Sequence, residues 1–441
     1  MSVSPVKALR GTLSLPGDKS ISHRSAIIAA LAYKGTSRIT NFSTSEDCES
    51  TLRCLEQLGV KVMREAAATV CIEGAGAKGF RAPSEPLNCG NSGSTMRMLA
   101  GALAGHDVVA TLTGDESLLT RPMKRIIQPL NQTGAHIQGT MDRAPLTVLG
   151  RQPLSAIRYE LPVASAQVKT AILLAGLNAR GRTEIIEPNA TRDHTERLLS
   201  WFSIKVDSKT IDDDGTSKTR TALEASQPFA ARDVAVPGDM SSAAFLIAAA
   251  AAFPESELLI TDVGLNPTRT GFLSILQLLG GDIELRNVRN EFNEPIGDVY
   301  FRGRYKFEPQ APRANLIRGS LVAQVIDELP ILAVLGTRLL GGIEIRDARE
   351  LRVKESDRLA ATVTNLRVMG AEVEEFEDGL KVRGPCQLQG AVLDSYGDHR
   401  IAMAFSVAAL IATGTSEIKG ADCVRVSFPE FFRSLESVSE R

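Results

Sequence analysis

One phrase of the sequence is nearly written twice. LPGDKSIS at residues 15–22 returns as VPGDMSSA at residues 236–243, each leading into an alanine-rich apolar stretch. The chain therefore reads as two similar halves. A finer period appears in segments that join a helical pattern to a β-rich run: LEQLGVKV (55–62), LNQTGAHI (130–137), LLSWFSIKV (198–206), LQLLGGDIEL (276–285) and LRVMGAEV (366–373). They recur at about 70 to 90 residues, and the glycine after the helical part is the expected C-cap.

Ahead of these segments, six polar or small-residue turns each open an apolar helix: PGDKS (from Pro16), GNSGSTMR (from Gly90), ASAQVK (from Ala164), PGDMSS (from Pro237), IDELP (from Ile326) and YGDHR (from Tyr396). Alternating helical and β periods at this spacing predict six mixed α/β units of plan βαβαββ, in two groups of three. Counting units places one domain at residues 19–236, with residues 1–18 and 237–441 joining as the other. Six helices starting at polar turns can aim their N-termini, each carrying about +0.5 of partial charge, at a cleft between the domains. Such a cleft attracts anions.

Composition narrows the possibilities. Fifty Lys and Arg against 52 Asp and Glu leave a net charge of −2, which argues against a nucleic-acid binder held by bulk electrostatics. The longest apolar runs, 243–253 and 401–412, are eleven and twelve residues, too short to span a bilayer, and read as buried helices. The first residues carry no secretory pattern, and the six cysteines are scattered without CxxC or zinc spacing, so a reduced cytoplasm is expected. No metal is expected, because the five histidines lack ligand spacing. GAGAKG (74–79) matches a dinucleotide pattern, but Pro83 and Pro86 follow it where a helix is required, so no nucleotide and no other cofactor is expected.

The turns carry more than caps. Lys19 and Arg24, Arg97, Lys169, Arg192, Lys354 with Arg358, and Arg400 stand beside them, and TRPMKR adds Arg121, Lys124 and Arg125. Ser, Asn, Gly and Arg together suit phosphate or carboxylate ligands, since arginine forks onto such groups with paired hydrogen bonds. Carboxylates occur in the same segments: Asp327 with Glu328, Glu355 and Asp398. On a helix, Lys354, Glu355 and Arg358 would share one rim, either as an ion pair or as a proton-transfer group flanked by cations. His399 could donate a hydrogen bond or pack beneath the next helix.

LPGDKSISHR, GNSGSTMR, RPM, SAQVK, DELP, RVKESDR and GDHRIAM, in this order between residues 15 and 407, resemble the 5-enolpyruvylshikimate-3-phosphate (EPSP) synthases, or 3-phosphoshikimate 1-carboxyvinyltransferases. The resemblance implies a two-domain inverse α/β barrel, each domain of three βαβαββ units in pseudo-threefold arrangement. It implies transfer of the enolpyruvyl group of phosphoenolpyruvate to the 5-hydroxyl of shikimate 3-phosphate through a tetrahedral intermediate, with release of phosphate, by a cytoplasmic monomer. Phosphoenolpyruvate would be held by Lys19, Arg121, Arg358 and Arg400, with Gly93, Ser94 and Gln167 around its phosphate. Shikimate 3-phosphate would be held by Lys19, Ser20, Arg24, Ser165, Gln167, Arg192, Asp327 and Lys354. Asp327 would be the base for the attacking hydroxyl, and Glu355 and Lys19 would share the remaining proton transfers.

SAQVK, NATR (189–192) and RDHTE (192–196) resemble the second class of the family, which implies reduced sensitivity to glyphosate, although Gly93 stands where some tolerant members carry alanine. Many members have a lysine shortly before the C-terminal Phe-Pro pair, where this chain has Val426, with Arg425 beside it.

Two other functions fit the repeats. A transferase moving the same group onto UDP-N-acetylglucosamine generally carries a cysteine or aspartate on a loop of the first-half domain, and GDESLLTRPMKR (114–125) has no cysteine. A non-catalytic anion-binding scaffold would have no use for Asp327 and Glu355 beside the cations.

Overall fold

A computed structural model describes residues 1–213, 216–225, 228–304 and 307–441. The chain divides into two compact units: unit 1 comprises Met1–Leu15, Pro237–Arg289 and Pro295–Arg441, and unit 2 comprises Pro16–Val236 and Asn290–Glu294.

All six turns open helices. In unit 2 these are Lys19–Ala30, Gly93–Ala104 and Ala166–Gly176, and in unit 1 Met240–Ala251, Leu329–Gly336 and His399–Leu410. Five of them are capped by a side chain of the turn itself, from Asp18, Ser92, Ser165, Asp239 and Asp398, each accepting from a backbone N–H of the first turn. Leu329–Gly336 instead places Pro330 in its first turn, where a missing N–H costs nothing.

Three four-stranded sheets in unit 2 repeat one connection. In the second of them, Leu87–Asn88 runs parallel to Val109–Thr113 with Leu87 opposite Leu112, and Arg143–Leu149 then pairs antiparallel to both Val109–Thr113 and His136–Thr140. Unit 1 repeats the order with Leu316–Ile317, Ile343–Ile345, Gly379–Val382 and Val373–Phe376, and again within a five-stranded sheet around Ala8–Ser14 and Glu257–Gly264. The tandem plan seen in the sequence is thus carried by strand pairing as well as by helices.

Each unit packs its turn-opened helices together behind the sheets: Gly93–Ala104 lies against both other such helices of unit 2, and the three of unit 1 touch pairwise. Burial on all sides explains why these helices lack an amphipathic stripe. Every residue of Met240–Ala251 is buried, and Phe245, Phe405, Phe428 and Phe431 fill the space that its alanines leave. The C-cap expectation holds at Gly59, Gly134, Gly280 and Gly370, which have φ between 85° and 96°. Ser203 takes the same position at φ 65° in the one segment without glycine. Among the described residues no helix is long and apolar enough to cross a membrane.

Candidate active-site clusters

In unit 2 the sequence-predicted residues gather at the N-terminal ends of the turn-opened helices. Lys19 Nζ lies 2.9 Å from Asp47 Oδ2, a partner in the first turn of the Glu46–Gln57 helix that the motifs did not mark. Arg24, one turn further along, is 3% exposed and anchored at each nitrogen: Nη1 donates to the Ser20 carbonyl (2.9 Å), Nε to Thr195 Oγ1 (2.8 Å) and Nη2 to Thr170 Oγ1 (3.0 Å). Behind it, His23 is wholly buried with Nδ1 2.7 Å from Thr51 Oγ1. Burial, together with the charges of Lys19 and Arg24, pushes its pKa well below the ordinary histidine range, so it stays neutral.

Gln167 bridges two helices. Its Nε2 donates to Ser94 Oγ at 2.9 Å, and its Oε1 accepts from Arg97 Nη1 at 2.5 Å. Arg121 Nη2 donates to Asn91 Oδ1 (2.6 Å) and Ser117 Oγ (3.2 Å). Gly93 sits beneath both guanidiniums: a methyl group built on it would come within 2.8 Å of Arg97 Nη1 and 3.4 Å of Arg121 Nη1. Ser165 caps the Ala166–Gly176 helix, and Arg192 is half-buried in the loop 188–193, ahead of the His194–Trp201 helix. Lys124 is exposed. Lys169, expected beside the anion-facing cations, instead points inward: it is 1% exposed and its Nζ lies 2.8 Å from Glu187 and 2.7 Å from Glu196, because its place on the helix turns it into the unit's interior.

In unit 1 the hub is Arg358. Its Nε lies 2.8 Å from Asp398 Oδ2, its Nη2 2.6 Å from Glu355 Oε2, and its Nη1 3.2 Å from Asp327 Oδ1. Burial alone would lower its pKa, and Asp398, Glu355 and Asp327 more than reverse that, holding it above the ordinary arginine value. Asp327 faces two further cations, Lys354 Nζ and Arg400 Nη2, each at 4.0 Å. Arg400 Nη1 donates to Ser241 Oγ at 2.5 Å and approaches Glu328 Oε1 at 3.6 Å, while Ser241 Oγ donates to the same Glu328 oxygen. Burial pushes the Lys354 ammonium below the usual lysine pKa and Arg358 adds to this, with Asp327 pulling the other way.

The helical reading of Lys354–Arg358 needs amending. Arg349–Val353 is a 3-10 turn, and the following helix starts only at Arg358, capped by Asp357 accepting from the Ala360 N–H. The Glu355–Arg358 pair forms nonetheless, across the turn. His399 is buried at the start of its helix. Near the C-terminus, Arg425 is exposed on the 3-10 turn Ala421–Val426 and Val426 is half-buried, so the cation that faces outward there is Arg425. No group of three or more His, Cys, Asp or Glu among the described residues could hold a metal ion.

Arginines and lysines clustered near helix N-termini with carboxylates interleaved suit the binding of strongly anionic groups. The fold is shared with the enolpyruvyl transferase NikO from Streptomyces tendae, which at 18% identity aligns over 99% of this chain and 96% of its own with a TM-score of 0.75. An EPSP synthase from Acinetobacter baumannii aligns at a TM-score of 0.84 and 38% identity, covering 99% of this chain and 98% of its own. A family model described as EPSP synthase (3-phosphoshikimate 1-carboxyvinyltransferase) matches residues 3–435. Proteins named 3-phosphoshikimate 1-carboxyvinyltransferase from Koribacter versatilis and Thermodesulfovibrio yellowstonii are 48% and 43% identical, over 100% and 99% of this chain and 99% of each relative. The chain belongs to the EPSP synthase family and has its two-domain inverse α/β barrel fold. The family's reaction transfers the enolpyruvyl group of phosphoenolpyruvate to shikimate 3-phosphate in the shikimate pathway.

Proposed function

We propose that this enzyme carries out the enolpyruvyl transfer with the following residues. Lys19, Arg121, Arg358 and Arg400 hold phosphoenolpyruvate, with Gly93, Ser94 and Gln167 around its phosphate. Lys19, Ser20, Arg24, Ser165, Gln167, Arg192, Asp327 and Lys354 hold shikimate 3-phosphate. Two polyanions repel each other, and bringing them into reacting distance requires pre-placed cations and backbone dipoles.

The observation that carries this reading is the convergence of three cations on one carboxylate: Arg358 at 3.2 Å and Lys354 and Arg400 at 4.0 Å from Asp327. Incoming anionic groups compete with Asp327 for those cations, which raises the basicity of the carboxylate as substrates bind. Asp327 then takes the proton of the 5-hydroxyl as its oxygen attacks C2 of phosphoenolpyruvate, while C3 receives a proton from Glu355 or Lys19. The tetrahedral intermediate loses a C3 proton and expels phosphate, which restores the double bond in the product. The enzyme works as a cytoplasmic monomer without a cofactor.

One assay tests the reaction: phosphate release from phosphoenolpyruvate with shikimate 3-phosphate, with UDP-N-acetylglucosamine, or with neither. Release with shikimate 3-phosphate alone is expected. Release driven by the nucleotide sugar, or none in any arm, contradicts the reading.

A further inference from the structure

The buried Lys169 belongs to none of the groups assigned above. It lies one residue before Thr170 on the Ala166–Gly176 helix, and Glu196 lies one residue after Thr195 on the His194–Trp201 helix. The two helices are therefore tied twice, side by side: by the ion pair between Lys169 and Glu196 (2.7 Å) and by the hydroxyl contact between Thr170 and Thr195 (2.6 Å). Arg24 donates to both of those hydroxyls.

The second carboxylate on the ammonium, Glu187, ends the Arg182–Glu187 strand, and its other oxygen accepts from Thr191 Oγ1. Glu187 and Glu196 thus bracket the loop that contains Arg192, and a single ammonium holds both brackets. The side chains of Lys169, Glu187 and Glu196 are 2%, 0% and 8% exposed, so water does little to screen the arrangement. Burial would favour loss of the lysine proton, but Glu196 and Glu187 outweigh it and raise the Lys169 pKa, so the ammonium stays charged, while burial pulls the Glu187 carboxyl above its ordinary value against the pull of Lys169. A hydrophobic contact of the same size could fill the space, but it could not hold two carboxylates from different elements on one charge.

We propose that Lys169 is a positioning residue for shikimate 3-phosphate: by gripping Glu187 and Glu196 it sets the loop carrying Arg192 and, through the adjoining threonine pair, the guanidinium of Arg24. The inference rests on the reading that Arg24 and Arg192 hold that substrate.

The test compares Lys169→Met, Lys169→Arg, Glu196→Gln and Arg192→Ala by steady-state kinetics in both substrates and by calorimetric titration with shikimate 3-phosphate alone. Lys169→Met should raise KM and Kd for shikimate 3-phosphate at least tenfold while KM for phosphoenolpyruvate and kcat change less than threefold. Lys169→Arg, which can still fork onto two carboxylates, should recover most of the loss. Glu196→Gln, which keeps the shape of the site, should show the same one-sided change at smaller size, and it carries the test if Lys169→Met does not fold. If Arg192→Ala weakens shikimate 3-phosphate but the Lys169 and Glu196 variants move both substrates equally, or neither, the inference fails and the substrate reading stands. If Arg192→Ala leaves shikimate 3-phosphate binding unchanged, the substrate reading fails and takes the inference with it.

Discussion

Arg358 Nε and Asp398 Oδ2 lie 2.8 Å apart with both side chains essentially sealed from solvent, joining the start of the Arg358–Val368 helix to the cap of the His399–Leu410 helix. Each helix presents one of the two unit 1 arginines proposed to hold phosphoenolpyruvate, so this contact fixes the Arg358 end relative to the Arg400 end. The hub is organised around carboxylates as much as around cations, and a ligand anion meets a set of charges that already balance one another.

Asp398→Asn isolates that contact, because asparagine caps a helix as well as aspartate and only the charge is lost. Leaving the Arg358 guanidinium short of a buried partner should cost about 3 kcal/mol. A lowered urea midpoint at unchanged m-value is the expected result. A midpoint equal to that of the parent would mean that Glu355 and Asp327 alone satisfy Arg358.

Gly93→Ala tests how tightly the two arginines above the Gly93–Ala104 helix are set. The new methyl group meets the tip of Arg97 at 2.8 Å, and a flexible tip can move where backbone could not. The fold should tolerate the change, since Gly93 is the first residue of its helix, where alanine is also accepted. The shift should instead loosen Arg97 from Gln167 and crowd Arg121. KM for phosphoenolpyruvate should rise about three- to tenfold, the size expected for a weakened charge-assisted contact, with KM for shikimate 3-phosphate within twofold. Equal changes in both constants would show that Gly93 does not face phosphoenolpyruvate.

Lys354 makes a pH prediction with opposite signs for stability and binding. Its folded pKa is below the ordinary 10.5, so the unfolded chain holds more protons in the window between the two values. Its contribution to stability therefore rises with pH through that window, modestly, since the side chain is 29% exposed. Binding of shikimate 3-phosphate should weaken over the same window as the positive charge is lost. Lys354→Arg keeps its charge throughout and should flatten this part of the alkaline limb of kcat/KM for shikimate 3-phosphate. An alkaline limb identical in parent and variant would assign that titration to another group.

The legibility of this chain follows from the range of each interaction. Five of the six helix starts are legible because caps act within three residues, as Asp18 does on the Ile21 N–H, and the sixth because Pro330 stands in its first turn. The Glu355–Arg358 pair was readable as a three-residue spacing, even though a turn and not a helix delivers it. The partners of Lys169 were not: Glu187 and Glu196 lie 18 and 27 residues away on a strand end and another helix, and nothing in the SAQVK motif says whether its lysine points outward or inward. Asp47 was missed for the same reason, 28 residues from Lys19 in a helix with acids throughout its first turn. Family resemblance implies residue roles, but apart from the Glu355–Arg358 pair the charge partners of those residues are set by tertiary structure.

Asp327 offers the sharpest separation between holding substrate and moving a proton. If it is the base for the 5-hydroxyl, Asp327→Ala should lower kcat by at least two orders of magnitude. The same change releases Arg358, Lys354 and Arg400 from a competing carboxylate, so KM for phosphoenolpyruvate should stay level or fall. A residue that only helped to hold shikimate 3-phosphate would give the reverse pattern, a raised KM with kcat preserved. Rapid-quench measurement of the tetrahedral intermediate sharpens the contrast, since loss of the base should slow its formation from bound substrates. Near-normal turnover in Asp327→Ala would remove this carboxylate from the proton path and leave Glu355, 2.6 Å from the same arginine, as the acid–base group of unit 1.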